Sequence, residues 1–270
     1  MSEKSEKIEK QIAILIDGDN ISPKYAAYIR QEAAMIGRIK IFRLYGSIIS
    51  PTVKSWYGVM PKYGISPVLQ ISYSQRKSIA DQALTIDAMD ILYSGEINTI
   101  CLVTSDSDFT KLAYRIKESG KELIGMGEQK TNESLAQACD EFKVLDLIYQ
   151  VENNTAEVKE DTIVEEESEA ALESPMEETL EDEAKTISIP TEQEIIENIS
   201  NFLDENWENL ANVGFALNKQ ISGFDARNYG YKNMTQFIKN HDEQFELDFK
   251  TAKDGIHSIV YIKKKSANNT

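Results

Sequence analysis

The sequence predicts an α/β protein: a three-layer parallel sheet, then an acidic disordered linker, then a small α+β winged-helix unit. Three observations carry that expectation. Short apolar, β-branched runs alternate with helical patterns over residues 11–146, as in a parallel sheet covered by helices on both faces. Residues 151–190 are rich in Glu and hold no aromatic residue and no glycine. Beyond them, helical spacing returns and gives way to two alternating runs, the pattern of helices followed by a hairpin.

In chain order, residues 11–16 are apolar enough for a strand buried on both faces. Pro23 opens a helical pattern to about Ile36, with Tyr25, Tyr28, Ile29 and Ala33 inward. Residues 39–45 read as a second strand, 51–63 as a short helix and 66–72 as a third strand. Residues 78–92 have helical spacing at Ile79, Ala83, Ile86 and Ile91. A strand at 99–104, a helix at 109–118, a strand at 122–126, a helix at 133–138 and a short edge strand at 143–146 complete this block. Further on, Thr191 with Glu194 three residues later is a capping-box pattern. It opens a helix whose apolar face is Ile195, Ile196, Ile199, Phe202 and Leu203. A second helical pattern runs through Leu210, Val213, Phe215, Ala216 and Leu217, and a third spans 233–240 with Met234, Phe237 and Ile238 inward. Residues 245–249 and 256–262 alternate like two strands joined through Lys253-Asp254-Gly255.

The chain has 270 residues and a formal net charge of −16. Single domains usually run ~100–200 residues, so two are expected. The total argues against a polyanionic partner, because nucleic acids are met by Lys and Arg. The distribution changes that reading. Residues 1–150 carry 18 Lys and Arg against 19 Asp and Glu, residues 151–190 carry 2 against 14, and residues 191–270 carry 9 against 12. Most of the excess therefore lies in the middle stretch, where low hydrophobicity and like-charge repulsion predict a solvated, extended tether. A transient helix around 165–172 is conceivable if packing supports it. Longer apolar runs such as Ile12-Ala13-Ile14-Leu15-Ile16 fall far short of the ~20 residues that cross a bilayer. The first residues are mixed in charge with no apolar core, so no secretory signal is read there. Cys101 and Cys139 suit neither a disulfide framework nor a zinc site. Reduced thiols in a cytoplasmic protein, with no membrane partner, are the expectation.

The chemistry is expected at carboxylates. The first strand ends in Ile16-Asp17-Gly18-Asp19-Asn20, and the fourth in Thr104-Ser105-Asp106-Ser107-Asp108-Phe109. In a parallel sheet, sites form outside the carboxyl ends of the strands, where strand order reverses. A third group, Asp81 and Asp87, lies on the helix that leads towards the fourth strand. Converging carboxylates need a cation, and an oxygen-only set suits Mg²⁺ or Mn²⁺. Asp-Gly and Ser-Asp are also ordinary turn and N-cap residues, so one cluster alone says little; two at one sheet edge with a third nearby favour a metal site. No Gly-x-Gly-x-x-Gly follows the first strand, no P-loop is present, and His241 and His257 lie outside this block. Asp17-Gly18-Asp19 also resembles the opening of haloacid-dehalogenase-type phosphatases. Asn20 departs from that signature, and no cap module is apparent.

Together these residues resemble the NYN family, in its LabA-like branch, within the PIN-like nuclease superfamily. The matching pieces are Ile16-Asp17-Gly18-Asp19-Asn20, then Lys77-Ser78-Ile79-Ala80-Asp81 with Asp87, then Thr104-Ser105-Asp106-Ser107-Asp108-Phe109. Thr131-Asn132-Glu133-Ser134-Leu135 and Ala138-Cys139-Asp140-Glu141-Phe142 also fit that branch. The resemblance covers about residues 10–148. It implies a PIN-like (Rossmann-like) fold and Mg²⁺- or Mn²⁺-dependent cleavage of RNA. It assigns Asp17, Asp81, Asp106 and Asp108 as metal-binding and catalytic positions, with Asn20, Ser105 and Asp87 in support. Asp87 ranks below Asp81: six residues at ~100° each point the two side chains to different helix faces. Lys24, Arg76, Lys77 and Lys111 lie close in sequence to the acidic motifs and are candidates for steering the phosphate backbone.

Residues 191–264 resemble the LOTUS, or OST-HTH, domain, most specifically in Phe224-Asp225-Ala226-Arg227-Asn228-Tyr229-Gly230. That family is associated with RNA, including G-rich structured RNA, or with protein partners. Arg227, Tyr229 and Lys232 place cations beside an aromatic, as RNA recognition requires; Phe224 reads as core. Lys263, Lys264 and Lys265 are further phosphate contacts by type. The organisation expected is a nuclease domain at 10–148, a linker at 149–190 and an RNA-binding domain at 191–264, acting together as a metal-dependent ribonuclease. Single-stranded or structured RNA, a protein partner and a homo-oligomer are the expected associations. The alternatives are a non-catalytic RNA-binding adaptor and a phosphatase.

Overall fold

The computed structural model describes residues 10–71, 79–157, 186–204, 206–221, 224–251 and 258–265. Arg76, Lys77, the Lys253–Gly255 connection and residues 158–185, the greater part of the expected linker, lie outside the described residues.

The first strand, β1 (Gln11–Asp17), is buried along almost its whole length. Its side chains alternate between two apolar layers: Ile12, Ile14 and Ile16 join one, Ala13 and Leu15 the other. A short 3-10 turn at Pro23–Tyr25 leads into α1 (Ala26–Ile36) and β2 (Arg38–Ser47). The expected single helix at 51–63 is two short ones, α2 (Pro51–Ser55) and α3 (Met60–Tyr63). Gly58 falls between them in a turn. Then come β3 (Ser66–Gln70), α4 (Ile79–Tyr93), β4 (Thr99–Val103), α5 (Thr110–Glu118), β5 (Glu122–Gly127) and α6 (Glu133–Ala138). The sheet closes with β6 (Glu141–Val144), two residues earlier than the sequence suggested, followed directly by α7 (Leu145–Glu157).

All neighbouring strands are parallel, in the order β3-β2-β1-β4-β5-β6. The chain builds outward from β1 in one direction, then returns to the other side through α4. The reversal lies between β1 and β4, where such sheets open a crevice at their carboxyl ends. Helix α4 is turned from the expected face. Ala80, Leu84, Ala88 and Ile91 point inward, while Ile86 is 64% exposed. The helix has little amphipathic contrast, so the small Ala80 and Ala88, which admit close packing on the sheet, decide the face.

In the C-terminal part, α8 (Glu192–Phe202) starts with the expected capping box of Thr191 and Glu194. It is followed by β7 (Glu208–Asn209), α9 (Leu210–Gln220), α10 (Met234–Lys239), β8 (Phe245–Thr251) and β9 (Ser258–Lys264). The strands form a small antiparallel sheet, β7-β9-β8, over a core of Ile195, Ile199, Val213, Phe224, Phe237 and Ile262. Thr186–Ile189 departs from the solvated tether expected there. Ile187 donates its backbone N–H to Thr131 (3.0 Å), its side chain is buried in the sheet domain's core, and Thr186 bridges to Asn132. Two isoleucines in four residues make this end of the acidic stretch apolar enough to pack.

Candidate functional site

The site is assembled where the strand order reverses. Asp17 is the last residue of β1 and is only 2% exposed. Its Oδ2 accepts hydrogen bonds from Asn20 Nδ2 and from Thr104 Oγ1, each at 2.7 Å. Its Oδ1 is buried with no hydrogen-bond partner among the described residues. Burial pushes the Asp17 carboxyl up to about 6; the Asn20 and Thr104 bonds oppose the rise, and the charges of Asp81 and Asp19 add to it. A carboxylate in that condition favours a proton or a cation.

Thr104 follows β4 and holds two groups at once. Its hydroxyl donates to Asp17 and accepts from the backbone N–H of Asp106 at 3.0 Å. Asp106 caps the short turn at Ser107–Phe109 by accepting from the Asp108 N–H at 2.9 Å. Asp108 is exposed. Asp108 and Asp81, from the first turn of α4, line one open groove of about 340 Å³ with Gln82, Thr85, Ile86 and Phe109. Ser105 Oγ accepts from the Glu128 N–H at 2.9 Å and so stitches this loop to the end of β5. Asp19 accepts from the Ser47 N–H at 3.0 Å and ties the ends of β1 and β2 together.

Asp81 and Asp108 thus line one groove, the charge of Asp81 reaches the buried Asp17, Asp106 frames the loop and Asn20 holds Asp17. Asp87 is elsewhere. Arg43 of β2 forms an ion pair with it at 2.6 Å, and Tyr45 donates its hydroxyl to it. Lys24 is exposed, with Nζ 4.8 Å from the Tyr25 ring and 5.4 Å from the Tyr149 ring. Its charge also helps to hold Glu128 below the usual carboxylate range. Lys111 is exposed in the first turn of α5, and Lys232 is exposed in the C-terminal domain. Arg227 and Tyr229, expected to meet RNA, are placed differently. Arg227 is held in ion pairs with Asp225 and Glu32. Tyr229 packs its ring near Phe224 and Phe237 and donates its hydroxyl to the Pro190 carbonyl at 2.8 Å.

Sequence reasoning named Thr104 only as part of a motif and overlooked Glu128. Thr104 was detectable from its place two residues before Asp106. Glu128 accepts from the Tyr25 hydroxyl at 3.0 Å and pairs with Lys130, and no local pattern announces it.

Among the described residues, no three His, Cys, Asp or Glu side chains already converge closely enough to hold a metal ion. The donor chemistry nevertheless fits a hard divalent ion: oxygen ligands alone, one of them a buried, unpartnered Asp17 Oδ1. Both cysteines are free and buried, and burial pushes each thiol up to about 12. No described helix is long and apolar enough to cross a membrane.

Comparison with known proteins agrees with this architecture. The NYN domain family model matches residues 11–146, and the OST-HTH/LOTUS domain model matches residues 190–257. An uncharacterized protein of Methanocaldococcus jannaschii is 29% identical over 133 residues, covering 46% of this chain and 50% of that protein. The match thus spans about half the length of that relative. The crystal structure of a protein of unknown function from Vibrio parahaemolyticus aligns with a TM-score of 0.43 at 22% identity, over 51% of this chain and 94% of that one. With the NYN model accounting for half of its residues, the chain belongs to the NYN domain family, a branch of the PIN-like nuclease superfamily, and carries an OST-HTH/LOTUS domain behind it.

Proposed function

We propose that this protein is a metal-dependent ribonuclease that hydrolyses RNA phosphodiester bonds, with its OST-HTH domain contributing to RNA recruitment. The observation that carries the proposal is Asp17: buried at the sheet's switch point, one oxygen bonded twice and the other not at all, beside Asp81 and Asp19. A buried carboxylate with a raised pKa at the carboxyl edge of a parallel sheet, next to further carboxylates, supports a cation site.

Asp17, Asp81 and Asp108 are the residues that would hold Mg²⁺ or Mn²⁺, with Asp106 beside them. A bound divalent ion supplies Lewis acidity, lowering the pKa of water and neutralising charge on the phosphodiester. The chain's own residues do the positioning. Thr104 and Asn20 fix the orientation of the Asp17 carboxylate. Asp106 fixes the turn from which Asp108 projects. Lys24 and Lys111 follow the two acidic loops in sequence, are exposed, and suit contacts to the phosphate backbone, which position RNA without reading its sequence.

The test is a substrate panel with the full chain: single-stranded RNA, G-rich structured RNA, DNA and p-nitrophenyl phosphate, each with Mn²⁺ or EDTA. EDTA-sensitive cleavage of RNA is the expected result. Binding of RNA without cleavage selects the adaptor reading. Phosphate release from the small ester selects a phosphatase.

A further inference from the structure

Glu32 is an anomaly on α1. It is buried at 1% exposure on a face shared with Ile29 and Ala33. A lone carboxylate there is costly. Its partners come from two places. Lys143 of β6 approaches its Oε2 at 3.0 Å, and Arg227 of the OST-HTH domain donates from Nη1 to its Oε1 at 2.6 Å. Arg227 is itself prepared for this contact. Asp225 accepts from its Nε at 3.0 Å and its Nη2 at 2.7 Å, and caps the Ala226–Tyr229 turn through the Arg227 N–H at 2.9 Å. The guanidinium fork is thus held rigidly and turned outward to the first domain, the use to which arginine is better suited than lysine. Burial alone would raise the Glu32 carboxyl, but the Arg227 hydrogen bond and the Lys143 charge outweigh it and hold Glu32 below its usual range.

A second contact lies just before α8. Ile187 is seated in the core of the NYN domain, and only Ser188, Ile189 and Pro190 separate it from the capping residue Thr191. The four Cα steps from Ile187 to Thr191 span at most about 14 Å, and Pro190 stiffens them. Helix α7 also packs on the Ala226–Tyr229 turn.

We infer that the OST-HTH domain is docked on its own chain's NYN domain as one unit, locked by the Arg227–Glu32 pair and the Ile187 anchor, rather than swinging on the acidic stretch. The partner of the Asp225-Ala226-Arg227 surface is then this chain itself. RNA reaches the second domain through other faces. The docking stands whether or not the chain cleaves RNA.

Amide hydrogen exchange on the full chain tests it with Glu32→Gln, Arg227→Gln and the double variant. Far-UV circular dichroism checks that each remains folded. Each single change is expected to speed exchange in α7 and the Ala226–Tyr229 turn by about tenfold or more, the effect of breaking a buried charge pair. The double variant is expected to match the larger single effect, because both changes remove one contact. Additive effects would assign Arg227 to its own domain only and overturn the docking. Should Arg227→Gln unfold the second domain, Glu32→Gln decides alone, since it alters no residue of that domain. Unchanged exchange at the Ala226–Tyr229 turn in that variant would equally overturn it.

Discussion

A carboxylate with one oxygen bonded twice and the other buried and unmatched destabilises the fold that holds it. Burial raises the Asp17 carboxyl to about 6 in the folded chain, against 3.8 for an aspartate in water. It therefore binds its proton more tightly folded than unfolded. In the absence of divalent ions, stability should fall as pH rises from about 4 to about 6 and stay lower above that, by at most about 3 kcal/mol. Asp17→Asn removes this penalty. In EDTA at pH 7.5 that variant should be more stable than the parent by roughly 1–3 kcal/mol in urea unfolding, with the difference vanishing below pH 4. Equal stability at both pH values would mean that Asp17 is not strained. Thr104→Val tests the other half of the arrangement, because it takes a donor from Asp17 and an acceptor from the Asp106 N–H. It should cost about 1–2 kcal/mol and slow RNA cleavage. Wild-type rates in that variant would remove Thr104 from the site. The motif residues were legible at this scale, but their partners were not. Asp87, which helix geometry already ranks below Asp81, is held by Arg43 and Tyr45, some forty residues away in sequence, and no local pattern names those partners.

At the scale of elements, the strands were readable because a strand buried on both faces is an unbroken apolar run, as in Ile12–Ile16. Helix faces were harder. In α4 the branched Ile86 suggested an inward position, yet small alanines set the packing and Ile86 faces the groove. Helix α7 was missed because Leu145–Glu157 mixes apolar residues with Asp146 and Glu152, and runs on into the acidic stretch. The ends of β1 and β2 depend on a close approach at Gly18. A Cβ there would lie 2.6 Å from Leu44 Cδ2 and 2.9 Å from the Tyr45 carbonyl oxygen. Gly18→Ala should therefore cost about 1–3 kcal/mol and shift the strand end that presents Asp17, lowering activity more than Tm. An alanine variant as active and stable as the parent would show that this contact relaxes freely. Ile187→Asp places a charge in the NYN core and should lower the Tm of the NYN transition by several degrees, consistent with burying an unpaired charge. No change would mean that Ile187 is not seated in that core.

At the scale of the whole molecule, the strand order puts both acidic loops beside the β1–β4 reversal, and Asp81 and Asp108, far apart in sequence, line one groove there. The class of sheet was legible from alternation, and the carboxyl-end rule names the β1–β4 edge as the place for a candidate site. The docking of the second domain was not legible, because Glu32 and Arg227 are 195 residues apart and each is unremarkable alone. The charge of −16 is also resolved at this scale. It resides mainly in residues 151–190, so it does not bar RNA from the near-neutral NYN domain. The most direct measurement compares the parent and Asp17→Asn on single-stranded RNA in Mn²⁺ and in EDTA. The parent should cleave in Mn²⁺ and stop in EDTA. Asp17→Asn should still bind RNA yet cleave it more slowly by more than the ~10–100-fold that loss of an outer-shell metal partner costs. An Asp17→Asn protein that cleaves as fast as the parent, or a parent indifferent to EDTA, would contradict the metal site at the sheet's switch point.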